Sequence, residues 1–122
     1  MMQVSTESGT FSIDSFYKIE KLIRQNAANG FAEIWLSGDS PYPALALLIN
    51  GVYACVNYFG TDEADMKMSL GSSDKSVIFK AGGVEWLSPE NAVISLDEAV
   101  ACAEGFFKNL DLPACMLWQD GV

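Results

Sequence analysis

A chain of 122 residues, half of them hydrophobic and 19% charged, is long enough to bury one core and too apolar to be a disordered acidic tail. Its 16 Asp and Glu against 7 Lys and Arg give a formal charge of −9, a field that repels phosphate backbones and argues against direct nucleic-acid binding. No apolar run is long enough for a membrane helix, and the opening MMQVSTESGTFSID lacks both the basic and the apolar part of a secretory signal, so the expected location is the cytoplasm, away from membranes.

Ser12 can cap a helix in which Phe16, Ile19, Leu22, Ile23 and Ala27 fall at core spacing, with Lys18, Lys21 and Arg24 on the other side and Gly30 as the stop. FAEIWLS (Phe31 to Ser37) reads as a strand. GDSPYP (Gly38 to Pro43) reads as a loop, because its prolines cannot supply ladder donors.

ALALLINGVYACVNYF (Ala44 to Phe59) reads as a hairpin turning at Asn50-Gly51, a pair that tolerates the positive φ of a tight turn. With that turn Ile49 faces Val52, Leu47 faces Ala54 and Leu45 faces Val56. On the reverse side Leu48 meets Tyr53, Ala46 meets Cys55 and Ala44 meets Asn57. Both sides are apolar, unlike a half-solvated hairpin, so both need a cover. The aliphatic side is assigned to the main core. The side with Tyr53, Cys55, Asn57 and Phe59 is closed by a second helix or by loops, or left partly open to a partner.

GTDEADMKMSLGSSDK (Gly60 to Lys75) reads as an exposed acidic connection with a short edge strand near Met66 to Leu70. SVIFK and VEWLS flank Ala81-Gly82-Gly83, which predicts a second hairpin closed by Pro89. Ser95-Leu96-Asp97-Glu98 supplies a capping box, followed by Leu96, Ala99, Val100, Ala103, Phe107 and Leu110 at helical spacing. Gly105 is a flaw in that helix, worth about 1 kcal/mol against Ala unless a neighbour packs closely there. ACMLWQ (Ala114 to Gln119) reads as a last strand. The order predicts a single α+β domain over 1–122, with a mostly antiparallel sheet and two main helices at about residues 12–28 and 96–109.

Cys55, Cys102 and Cys115 lack any C-x-x-C spacing and are expected as buried, reduced thiols. The chain has no histidine, hence no Ser-His or Cys-His nucleophile pair and no mixed zinc site. It has no phosphate-binding G-x-x-x-x-G-K-[ST] loop and none of the ligand spacings of a zinc deaminase. Asp62 and Asp65 have no apolar wall to shift a pKa. The expectation is no enzyme, no cofactor and no metal.

From Tyr42 onward, YPALALLINGVYACVNYF, then SLG, then VIF, then NAVISLDEAVACAEGFFKNLDLPACMLW, the chain resembles the immunity proteins of bacterial polymorphic toxin systems. More narrowly it is similar to the first numbered immunity family. That resemblance implies an α+β fold, a characteristic C-terminal tryptophan, matched by Trp118, and a deaminase-type toxin as neighbour. It implies no catalytic residues.

The expected role is therefore to bind a cognate toxin with a basic surface and block its substrate, the chain being a monomer when free. Asp62, Glu63, Asp65 and Asp74 are expected to supply the electrostatic contact, with Tyr58 and Trp86 as aromatic anchors. The bland alternatives are a solvated loop for the acids and core for the aromatics. The competing class is an acidic secretion chaperone, a dimer that holds an unfolded segment of its cargo.

Overall fold

In the computed structural model, residues 1–120 are described. Met2 and Val4 alternate with Gln3 and Ser5, and Phe11 and Ile13 with Thr10 and Ser12. This period of two makes a strand pair, β1 (Met2–Thr6) and β2 (Gly9–Ile13), in register Val4↔Phe11. The expected helix start is thereby corrected: Ser12 belongs to β2, where its hydroxyl donates to Gln3 Oε1 at 3.0 Å. Helix α1 spans Phe16–Ala27 after Ser15, which is extended and makes no capping bond. Ile19, Ile23 and Ala27 are buried as their spacing requires. Tertiary pairing overrides the local cap signal, because Val4 of β1 also pairs with Leu36 of β3 (Phe31–Ser37).

β4 (Ala44–Asn50) and β5 (Tyr53–Phe59) form the central hairpin, but the turn is Gly51-Val52, with Gly51 at φ 62° and Asn50 facing Tyr53. Asn50 stays in the ladder while its amide donates to Ile78 O at 2.9 Å, and the Gly51 amide donates to Gly30 O at 3.0 Å. Leu47 consequently faces Val56, and Leu45 faces Tyr58. The partners slide by an even number of positions, so each residue keeps its expected side of the sheet.

Behind β5 come β6 (Met66–Leu70), the hairpin β7 (Ile78–Ala81) and β8 (Val84–Leu87), a bridge β9 (Ile94–Ser95), helix α2 (Leu96–Asn109) and β10 (Leu117–Asp120). The main sheet runs β10-β6-β5-β4-β3-β1-β2, with β9 on β5 and every pairing antiparallel. β6 is therefore an interior strand and not the edge strand expected. It diverges from β5 beyond Met68, where the buried Ser69 hydroxyl fills the gap: it accepts from Val56 N at 3.1 Å and donates to Ala92 O at 2.7 Å.

Both helices cover one side of this sheet. Leu45, Leu47, Ile49, Ala54, Val56 and Tyr58 meet Ile19 and Ile23 of α1 and Ala99, Cys102, Ala103 and Phe106 of α2 in one continuous core. The capping box of α2 is complete, with both Ser95–Glu98 bonds at 3.1 Å. The reverse side is covered in part by the β7–β8 flap. Gly82 and Gly83, both at positive φ, make its turn, and Phe79 packs with Leu48, Cys55 and Met68 beneath it. Among the described residues no helix is long and apolar enough to cross a membrane.

Candidate functional cleft and acidic turn

The flap covers only part of its side of the sheet. Beyond it Ala44, Ala46 and Phe59 form a separate small cluster with Tyr42 and Met66, and Trp35 stacks on Phe59 with ring centroids 5.2 Å apart. Between the two clusters lies a cleft of about 360 Å³. Leu48, Met66 and Met68 line it from the sheet, and Val84, Glu85 and Trp86 from the flap.

Asn57 sits at the base of this cleft. Its register partners are Ala46 and Met68, so its side chain falls on the flap side between an alanine and a flexible thioether. It is only 8% exposed, and its Oδ1 is buried without a hydrogen-bond partner. Such an orphan acceptor costs about 1–3 kcal/mol relative to a paired one. On the flap, Glu85 pairs with Lys80, on the opposite face from the Phe79–Trp86 pair, yet the Lys80 ammonium lies 5.0 Å from the Phe31 ring centroid. Among the described residues Glu85 makes no ion pair.

Met66 ties the cleft to the acidic turn, since it lines the cleft and directly follows Asp65. Asp62 accepts from Ala64 N at 2.8 Å and Asp65 N at 3.1 Å, while Asp65 accepts from Thr61 N at 3.1 Å. These bonds give the turn a defined shape while Asp62, Glu63 and Asp65 stay exposed and, among the described residues, in no ion pair. The nearby Lys67 is taken by Asp120 at 2.7 Å. That pairing raises the Lys67 pKa and lowers that of Asp120.

The six residues singled out from sequence divide between these regions. Asp62, Glu63 and Asp65 are together in the turn. Asp74 is not with them, because β6 carries the chain back along β5 and leaves Asp74 beyond its other end, next to Lys75, whose ammonium contacts Tyr53 Oη at 3.2 Å. Trp86 is half-buried, with its ring 6.4 Å from that of Phe79 and one flank on the cleft. Tyr58 lies on the helix side, 9% exposed, its ring 6.3 Å from Phe106 and 6.5 Å from Trp118. As an anchor beside Trp86 it is corrected to core: a strand sends neighbouring side chains to opposite sides, and Tyr58 follows Asn57. Only its hydroxyl reaches the rim, donating to Asp111 at 3.3 Å. Burial first, then the Asp111 charge, raises its pKa.

Trp118 donates its indole N–H to Pro113 O at 2.8 Å and packs on the main core. Cys55 and Cys102 are buried as expected. Cys115 is exposed, a correction, because it lies in the turn before β10 with its sulfur 3.4 Å from that of Cys102. Sequence reasoning missed Asn57 as a site residue. The available signal was an asparagine in the middle of an apolar strand side, where a polar group needs a partner. Comparison with protein-family models gives no match to this chain, and comparison with curated proteins gives none either.

Proposed function

We propose that this chain is an immunity protein that neutralises a cognate toxin of deaminase type by occupying it, without chemistry of its own. The observation that carries the reading is the acidic turn at the lip of an open cleft: Asp62, Glu63 and Asp65 are held in one shape and, among the described residues, lack cationic partners. A toxin that grips nucleic acid needs a basic surface, and complementary charge speeds encounter with such a surface while competing with its substrate. The net charge of −9 extends the same attraction to the whole molecule.

The test is to look for a deaminase-type toxin domain in the gene beside the one for this chain, coexpress the two, and titrate the purified pair. The parent chain protects the host. Reversing Asp62, Glu63 and Asp65 to Lys slows association roughly 10- to 100-fold at low salt and flattens its salt dependence. A host killed despite abundant folded chain, or a triple variant that associates like the parent, overturns the reading. A stable dimer that binds only unfolded cargo transfers it to the secretion-chaperone class.

A further inference from the structure

Gly105, a flaw in α2 by helix propensity, has a packing role. Beyond Asn109 the chain reverses at Leu110, whose φ of 49° is left-handed, and Pro113 then lies against the helix, 3.6 Å from where a Cβ on Gly105 would be. The Trp118 indole N–H fixes Pro113 there by its bond to Pro113 O at 2.8 Å. Cys102 stands one turn before Gly105 on the same face of α2. The returning chain therefore sets Cys115 against Cys102, with the two sulfurs 3.4 Å apart.

The two thiols differ in access. Cys102 is fully buried and Cys115 is exposed. Burial first, then the contact with Cys115, raises the Cys102 pKa, so that thiol on its own is inert. Cys115 is the sulfur an oxidant meets. A bond between them needs the sulfurs to close by about 1.4 Å, from 3.4 Å to about 2.05 Å, and Cys115 lies in a turn, where the chain can supply that movement. Cys55 has no part in this: it lies on the other side of the sheet, under the flap, 3.9 Å from the Ser69 hydroxyl.

We infer that Cys102 and Cys115 are a modification site, forming a reversible disulfide with a hydroperoxide as oxidant and thereby tying the approach to β10 onto α2. In the first step the Cys115 sulfur attacks the peroxide. An S–O bond forms, the O–O bond breaks, and the thiol proton leaves with the departing oxygen as an alcohol, or as water from hydrogen peroxide. In the second, the Cys102 sulfur displaces the hydroxyl of that sulfenic acid. The S–S bond forms, the S–O bond breaks, and the Cys102 proton leaves with hydroxide as water. Each sulfur gives up one electron, and the two together reduce the peroxide. Contact between the sulfurs makes the second step intramolecular, which offsets the poor nucleophilicity of a buried thiol and outruns further oxidation of Cys115. The product closes a loop across the α2–β10 connection and so moors β10, the four-residue strand at one end of the sheet.

The experiment treats the reduced full chain with a slight excess of hydrogen peroxide. Its intact mass falls by two hydrogens, and after denaturation one of its three cysteines alkylates. Trypsin cuts after Lys108 and separates Cys102 from Cys115, so the peptides 81–108 and 109–122 stay joined until dithiothreitol is added. The oxidised chain melts about 5–10 °C above the reduced one. Cys115→Ser, at an exposed position, shows neither the mass loss nor the shift, whereas Cys55→Ala shows both. Three cysteines still open to alkylation, a Cys115 that ends as sulfinic acid or links two chains, a bridge that includes Cys55, or a bridged parent that melts like the reduced chain each overturn the inference. No toxin takes part, so the result bears on this pair of thiols and leaves the acidic-turn reading to its own test.

Discussion

The two sides of the sheet are built from the same strands and end up with different properties. On the helix side Leu45, Leu47, Ile49, Ala54 and Val56 are fully buried or nearly so, and the apolar contacts run without a break from α1 through the sheet to α2. On the flap side the buried residues fall into two clusters, one under Phe79 and one around Phe59, with a cleft and an orphaned amide between them. Two helices lay a wide apolar surface over a sheet, whereas a four-residue-per-strand hairpin spans only part of it. The helix side holds the continuous core, and the flap side is left with an open cleft between its two clusters.

The widest gap between the sides lies in what truncation does. Phe106→Ala removes a fully buried ring from the helix side and should cost about 3–5 kcal/mol in urea denaturation. Met66→Ala trims a half-buried side chain at the cleft and should cost less than about 1.5 kcal/mol. Equal losses would mean that the flap side is packed as continuously as the helix side, and the contrast would fail.

Ser69 probes the seam between β5 and β6, where a side chain replaces a ladder bond. Ser69→Ala strands Val56 N and Ala92 O in a buried setting and should cost about 1–3 kcal/mol by the same measurement. A change under about 0.5 kcal/mol would show water replacing the hydroxyl, and with it a seam looser than the bonds imply.

The architecture was legible where a long segment carried one period. α2, the Ala44–Phe59 hairpin, the Gly82-Gly83 hairpin and the strand at Phe31–Ser37 all follow from spacing, caps and turn residues. The β1–β2 pair was hidden because its strands are short, its turn at Glu7-Ser8 lacks an Asn-Gly signal, and Ser12 offers a competing cap. The turn register was missed because Asn50 has a tertiary partner in Ile78 that local sequence cannot reveal. At the site, the exposure of Asp62, Glu63 and Asp65 followed from composition. The separation of Asp74 did not, since it depends on β6 pairing between β5 and β10. Tyr58 and Asn57 are adjacent in sequence and opposite in role, a distinction that needs the strand's facing and not merely its existence.

The smallest expected difference is dynamic, and the cysteines report it. Cys55 lies under the flap and Cys102 on the buried face of α2, both fully buried. Burial is the main cause that raises the Cys55 thiol from 9.0 to about 11, partly offset by its contact with Ser69. Burial also raises Cys102, helped by its neighbour Cys115. A raised folded pKa favours the protonated thiol in the native state. The stability Cys55 contributes is present in full below about pH 9 and is lost as pH climbs through about 11, so the flap side weakens over that alkaline window. Labelling separates them. In a Cys115→Ser background at pH 8, iodoacetamide should reach Cys55 through local lifting of the short hairpin, and Cys102 only through opening of the main core. Cys55 should thus react faster than Cys102 and with a weaker dependence on added urea. Identical rates and urea dependences would make the flap and the helices one cooperative unit, and the cleft would then be a rigid notch with no give at its outer wall.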